Sequence, residues 1–377
     1  MRALFWTDWF LPSIGGVEVF SARLLPDLAR RGHKIVVVAG HHQAGLPDET
    51  DWDGVTVRRF PFHPVLAAGD IDRMTATLLE VARLKRELQP DLVHLNTLGP
   101  SVLFHLETSG RCPAPVLLTM HSPVMEDAVR LDTLYGRALR SANWVNCNSK
   151  AVRADLCSRV PQMCERSSVT YYGMDAPALH PSVRPREDPV VLGFGRLVRD
   201  KGFDLAVAAF ALVVRRFPRA CLVLAGDGAA RPELEQLVAK LGLSNSVRFL
   251  GAVAPERVPG LLNDASLVIV PSRWNEPFGL VALESALMAR PVVAARVGGL
   301  AEAVEHGKTG LLVEREDTAT MADAMLYLLE NYEDADRIGA TARERARERF
   351  SWNRCVDEYE RLYELTRHGR LTEAPHD

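Results

Sequence analysis

The stretch VVLGFGRLVRDKGFDLAVAAFALVVRRF, residues 190–217, holds the unit from which the fold is read. Val190–Phe194 is a short run of β-branched and apolar residues, and Phe203–Phe217 has the length and composition of a helix. A nearly continuous apolar run of this kind suits a parallel strand covered by helices on both faces. The loop between them carries Arg196, Arg199 and Lys201. In open α/β sheets ligands sit beyond the carboxyl ends of strands, so cations there can neutralise a pyrophosphate. A solvated basic loop is the plain alternative. The spacing excludes a Walker A loop.

The alternation extends in both directions. Downstream, strands are expected at Cys221–Ala225, Val247–Leu250, Leu267–Val270, Val292–Ala295 and Gly310–Val313, with helices at Pro232–Leu241, Leu280–Ala289 and Thr318–Glu330. Upstream, strands are expected at Ala3–Thr7, Lys34–Ala39, Val55–Phe60, Leu92–Asn96, Val116–Met120, Trp144–Asn148 and Val169–Tyr172, with helices at Val17–Arg31 and Ile71–Leu88. Pro26 should kink or split the first of these helices. The proline-rich stretch Asp175–Pro189 reads as a linker. The organisation that follows is two doubly wound α/β domains, 1–180 and 181–350. A C-terminal helix begins at 351, with Trp352, Val356, Tyr359, Leu362 and Tyr363 on one face.

The chain has 377 residues, long enough for two cores. Its net charge of -3 provides no overall positive field for nucleic acid. Cys112, Cys147, Cys157, Cys164, Cys221 and Cys355 form no zinc pattern, and all six are expected as reduced thiols in a cytoplasmic protein. No apolar run is long enough for a membrane span. Ile71–Gln89 also fits a basic amphipathic helix lying peripherally on a membrane. Glu80 and Glu87 offset Arg83, Lys85 and Arg86, so packing on the sheet is preferred.

A second constellation is SRWNEPFGLVALESALMA, Ser272–Ala289. Glu276 precedes a helix whose opening amides suit an anion. Glu284 lies on a helix that is apolar nearly all round, where an unpaired carboxylate is costly. It needs either a partner within the fold or a ligand hydroxyl. Gly15 and Gly16 join the first strand to the first helix, permitting positive φ or close backbone approach. His121 ends the strand Val116–Met120, and a lone His is more often structural than functional.

EPFGLVALE at 276–284 and GRLVRDKG at 195–202 together resemble glycosyltransferase family 4, the glycosyl transferases group 1, retaining enzymes of the GT-B fold. GGVE (15–18), GHKIVVV (32–38), MHS (120–122), AGDG (225–228), VGGLAE (297–302) and GKTGLLV (307–313) lie in family order. The resemblance implies two Rossmann-like domains facing a central cleft, with the C-terminal helix returning to the N-terminal, acceptor-side domain. It implies a nucleotide diphosphate sugar as donor and a glycan, lipid or small molecule as acceptor, with no metal or other cofactor. Arg196 and Lys201 would hold the diphosphate, Glu284 the ribose and Glu276 the transferred sugar. Gly195 and the backbone of Phe278, Gly279 and Leu280 would approach phosphates and sugar, and Val253 would lie by the nucleobase. His121 and the Gly15–Gly16 loop would serve from the other domain. The leaving phosphate would help deprotonate the acceptor on the face it departs from. Ser122 and Tyr172 stand where relatives often have Asp and Asn. A sugar-nucleotide epimerase and a non-catalytic nucleotide-sugar-binding module remain the alternatives.

Overall fold

The computed structural model describes residues 1–13, 15–43 and 45–369. The chain forms two units, one of residues 1–170 with 355–377 and the other of residues 171–354.

The first unit contains an eight-stranded sheet. Its strands are β1 (Arg2–Trp6), β2 (Lys34–Gly40), β3 (Glu49–Trp52), β4 (Val55–Phe60), β5 (Leu92–Leu95), β6 (Val116–Met120), β7 (Trp144–Cys147) and β8 (Ser167–Val169), in the order β3-β4-β2-β1-β5-β6-β7-β8. All neighbours are parallel except β3, which pairs antiparallel with β4. After β1 the chain builds outward through β2, then returns to the other side of β1 with β5. That reversal places a crevice at the carboxyl ends of β1 and β5. Leu4, Trp6, Val38, Leu95 and Leu118 are buried in one apolar cluster.

The second unit contains β9 (Val190–Phe194), β10 (Cys221–Ala225), β11 (Val247–Gly251), β12 (Leu267–Val270), β13 (Val292–Ala295) and β14 (Leu311–Val313). They form a parallel sheet ordered β11-β10-β9-β12-β13-β14. Leu224, Ile269 and Phe210 belong to one buried cluster, and Val268, Ala282 and Leu300 to another, so apolar residues cover both faces. Here the reversal falls between β9 and β12.

Six helices matter below: α1 (Gly16–Arg30), α2 (Ile71–Leu88), α3 (Lys150–Arg159), α4 (Phe203–Arg216), α5 (Leu280–Leu287) and α6 (Trp352–His368). From Cys355 onward α6 belongs to the first unit. There the Tyr363 hydroxyl lies 3.0 Å from His94 Nδ1. Arg31 donates to Asp357 and to Glu360.

Several expectations need correction. Pro26 does not split its helix, since α1 runs through it. Proline removes the N–H that would bond the carbonyl four residues back. That carbonyl, on Ala22, instead accepts the Trp52 indole N–H at 2.8 Å. Trp52 ends β3, a strand absent from the sequence reading, so an unforeseen hairpin repairs the proline defect. The proline-rich stretch is not a free linker: Arg184 is buried, donating to Asp336, to the Ser266 carbonyl and to the Tyr332 carbonyl. Cys157 and Cys164 form a disulfide, with Cα atoms 4.8 Å apart, across the end of α3 and the turn after it. Reduced thiols at these two positions are therefore no argument for a cytosolic setting.

In α2, Val81, Leu84 and Leu88 are buried against the sheet. Lys85 is fully buried too, donating to the His105 carbonyl at 3.1 Å. Burial brings its ammonium down to about 7. The basic cluster considered for a membrane surface thus loses its central cation. Among the described residues no helix is long and apolar enough to cross a membrane.

Candidate active site

In the second unit the site grows from the reversal between β9 and β12. The loop after β9 carries Lys201 in a short 3-10 turn, and the loop after β12 carries Glu276. Two glycines permit the approach of backbones here. Gly202 has φ +68°, and a Cβ on it would lie 2.1 Å from the Pro271 carbonyl oxygen. Gly298 has φ +48°, and a Cβ there would lie 2.3 Å from the Glu276 carbonyl oxygen. That same oxygen accepts the Gly299 amide at 2.7 Å. An L-side chain at 202 or 298 would push these loops apart.

The loops bring Lys201 Nζ to 2.5 Å from Glu276 Oε1, an oxygen that also accepts from Ser272 Oγ at 2.6 Å. Glu276 is buried, with 6% exposure, so its charge is tolerated because both partners are present. Arg273 braces the base of the loops. Its guanidinium donates to both oxygens of Asp204, at 2.5 and 2.7 Å, and to Glu316 at 2.8 Å. Burial pushes the Asp204 carboxyl up, but the Arg273 bonds outweigh it and leave Asp204 below its ordinary value. Ser272 and Arg273 were not singled out in the sequence. Nothing in a lone Ser and Arg distinguishes them until the loop geometry is known.

Arg196 projects from the first loop and is exposed, with no ion-pair partner among the described residues. Gly195 has φ +134°, and its amide donates to the Ala225 carbonyl at 2.9 Å. The Phe278 ring is buried beside Tyr171, Tyr172 and Phe350, so only its backbone is available to a ligand. Gly279, at φ +102°, starts α5. Among the described residues the amides of Phe278, Gly279 and Leu280 have no acceptor, as expected at a helix start that suits an anion. Val253, after β11, is partly buried on the adjoining apolar cluster.

Glu284 lies in the second turn of α5. Its surface is only half-buried, yet its surroundings are closed enough for burial to raise the carboxyl to about 7. No side-chain or backbone donor among the described residues reaches it. The fold thus supplies no partner for this carboxylate, which leaves it for a ligand.

In the first unit, His121 follows β6. Its Nε2 lies 3.0 Å from Asn96 Oδ1, so this nitrogen carries the proton. Asn96 Nδ2 donates to Ser21 Oγ at 3.1 Å, and Ser21 donates to the Val17 carbonyl at 2.8 Å. The imidazole orientation is therefore set by the start of α1. Burial lowers the His121 pKa to about 4, keeping the ring neutral at neutral pH. Gly15 caps α1 with φ -152°, an extended value open to any residue. Neither Gly15 nor Gly16 has the positive φ considered for them. A Cβ at Gly15 would meet the flexible end of Glu18 at 2.2 Å.

Comparison with known proteins agrees with this architecture. Residues 14–176 match the model of Glycosyltransferase Family 4, and residues 178–345 match that of Glycosyl transferases group 1. Alpha-D-kanosaminyltransferase of Streptomyces kanamyceticus is 34% identical over 209 residues, 54% of this chain and 54% of that protein. A D-inositol 3-phosphate glycosyltransferase of Corynebacterium urealyticum is 40% identical over 181 residues, 46% of this chain and 42% of that protein. The chain thus matches about half the length of these relatives. The structure of Anabaena HepE in complex with UDP-glucose superposes with a TM-score of 0.78 at 25% identity, covering 97% of this chain and 100% of that one. With two family models matched in succession on a two-sheet architecture of this kind, the chain belongs to the group 1, family 4-like glycosyltransferases of the GT-B fold.

Proposed function

We propose that this protein moves a hexose-type sugar from a nucleoside diphosphate sugar to an acceptor hydroxyl, with retention at the anomeric carbon and without a metal ion. The observation that carries this reading is the Lys201–Glu276 pair on the loops after β9 and β12, followed on α5 by Glu284, which no donor among the described residues reaches. Arg196, Lys201 and the amides at the start of α5 offer positive charge to the diphosphate. Glu284 accepts from ribose hydroxyls, and Glu276 from hydroxyls of the sugar. Val253 and its neighbours lie by the base. The binding of UDP-glucose by the Anabaena protein supports a nucleoside diphosphate donor.

In the reaction the bond between the anomeric carbon and the diphosphate oxygen breaks, its electron pair leaving with the nucleoside diphosphate. The acceptor oxygen forms the new bond on the same face. Its proton passes to the departing phosphate oxygen, so no protein base is required. Within the first unit His121 is neutral and oriented by Asn96, as a sugar-contacting side chain would need to be.

A panel of UDP, GDP and ADP sugars, scored by thermal shift and by turnover, tests the reading. A donor at about 100 times its dissociation constant stabilises the fold by about 2.7 kcal/mol. NMR of the product should find the donor's anomeric configuration kept. Inversion, or a panel that neither shifts the melt nor turns over, sinks the proposal.

A further inference from the structure

The loop after β12 closes on itself. Ser272, just beyond the end of the strand, donates from Oγ to Oε1 of Glu276 at 2.6 Å. Two backbone bonds hold the same loop. The Arg273 amide donates to the Asp200 carbonyl at 2.8 Å, and the Glu276 carbonyl accepts the Gly299 amide at 2.7 Å. Ser272 is 1% exposed, so its hydroxyl is shut off from any ligand. A serine hydroxyl has one proton to give, and here it goes to the carboxylate. Whatever Ser272 does for the reaction, it does through Glu276.

The two oxygens of Glu276 have different surroundings. Oε1 accepts from both Ser272 and Lys201. Oε2 accepts from no donor among the described residues and is open to solvent. The two donors on Oε1 are also unlike. Ser272 belongs to the same loop and reaches the carboxylate through one short bond. Lys201 comes from the other loop on a flexible stem, and its side chain is 24% exposed. Its ammonium carries three N–H donors, of which only Glu276 takes one among the described residues. A diphosphate beside Lys201 therefore competes with Glu276 for that ammonium. The last torsion of a glutamate is soft, so a carboxylate held by Lys201 alone would be free to turn once the lysine is drawn away. The Ser272 bond removes that freedom.

We infer that Ser272 is a positioning residue for the transfer. It keeps Oε1 of Glu276 engaged when the diphosphate draws on Lys201, and so keeps Oε2 directed to the hydroxyls of the transferred sugar. The inference rests on the transferase reading above and adds a residue which that reading leaves out. A misplacement of about 1 Å can cost about 10²-fold in rate, so one bond behind the carboxylate is felt in turnover. Arg273, the next residue, does not share this role, because its guanidinium is spent on Asp204 and Glu316.

The test compares the full chain with Ser272→Ala, Ser272→Thr, Glu276→Ala and the Ser272→Ala/Glu276→Ala double variant. Turnover is measured with UDP-glucose, UDP-N-acetylglucosamine, GDP-mannose and ADP-glucose. Calorimetry gives the affinity for these and for UDP, GDP and ADP. Ser272→Ala should lower kcat by about tenfold or more. Its affinity for the parent nucleotide should stay within about twofold of wild type, which also shows that it folds. Ser272→Thr keeps a hydroxyl and should recover most of the turnover. Nucleotide-sugar binding completes a double-mutant cycle. Ser272→Ala should weaken it by about threefold or more in the wild-type background, and should leave it unchanged once residue 276 has no carboxylate to hold. This cycle decides if the extra methyl of Thr disturbs the loop. The inference is overturned if Ser272→Ala turns over within about twofold of wild type, or loses nucleotide affinity in step with turnover. It is equally overturned if Ser272→Ala weakens nucleotide-sugar binding to the same extent in both backgrounds. A wild type that neither binds nor turns over any of the nucleotide sugars counts instead against the transferase reading, so the two failures are distinguishable.

Discussion

Lys201 Nζ lies 2.5 Å from Glu276 Oε1 although 75 residues separate the two in sequence. The contact joins the loops after β9 and β12, the two strands between which the second sheet reverses its order. Replacing Glu276 by Gln keeps the shape and removes the charge. Turnover should fall by about 10²–10³, the range found for a lost transition-state contact, with little change in melting temperature. Lys201→Ala leaves Glu276 buried with only Ser272, and should cost about 1–3 kcal/mol in urea as well as turnover. Near-normal rates in either variant would remove these residues from the site.

Glu284 gives a prediction with a definite sign. Its pKa is raised from 4.5 to about 7 by burial, so between these values the folded state binds more protons than the unfolded state. Stability from this group is therefore lost as pH rises from 4.5 to 7 and stays lost above. Glu284→Gln should be more stable than wild type by about 1–2 kcal/mol at pH 8, a figure discounted for partial exposure. The gap should close towards pH 4.5. The same variant should bind donor more weakly. A constant gap across the pH range would refute the linkage.

His121 and His94 act in the opposite sense. Burial lowers them to about 4 and about 3. Below pH 6.5 the unfolded state takes up protons that the folded state resists, so acidification towards pH 4 should destabilise the protein. Thermal melts of wild type from pH 7.5 down to pH 4 would follow this. In Glu284→Gln, where the opposing contribution is gone, the decline should be steeper than in wild type.

Chelation is expected to be harmless. The positive charge assigned to the diphosphate comes from Arg196, Lys201 and backbone amides, so turnover should survive excess EDTA. Complete loss that is restored by a divalent cation would contradict the metal-free mechanism.

The hairpin that carries Trp52 can be tested by a double-mutant cycle. Trp52→Phe leaves the Ala22 carbonyl without its donor and should cost about 1–3 kcal/mol. In a Pro26→Ala background residue 26 regains its N–H and can bond Ala22, so the same change should cost much less. Equal costs in both backgrounds would mean that the indole does not compensate for the proline.

These elements also mark what could and could not be read from the sequence. Val190–Phe194, Leu267–Val270 and Val292–Ala295 are legible because strands buried on both faces are written as unbroken apolar runs. Glu49–Trp52 is polar and short, and only the Asp53-Gly54 pair betrays it, both residues having positive φ in the turn. Arg196, Lys201, Glu276 and Glu284 stand out as a set in the sequence only because their spacing resembles a family pattern. Asn96 and Ser21, which orient His121, do not, because side chains that act through another residue leave no local signal. Nor does the Cys157–Cys164 bridge, since a spacing of seven residues fits a bridge and two free thiols alike.

The Trp52 indole on the Ala22 carbonyl has a consequence for how this chain can vary. Residues 26 and 52 are expected to vary together: a relative that keeps the proline should keep a donor at the hairpin tip, and one that lacks the donor should lack the proline. A chimera that exchanges the hairpin without exchanging the helix would expose an old fault in the first helix, far from the graft in sequence and invisible in either parent.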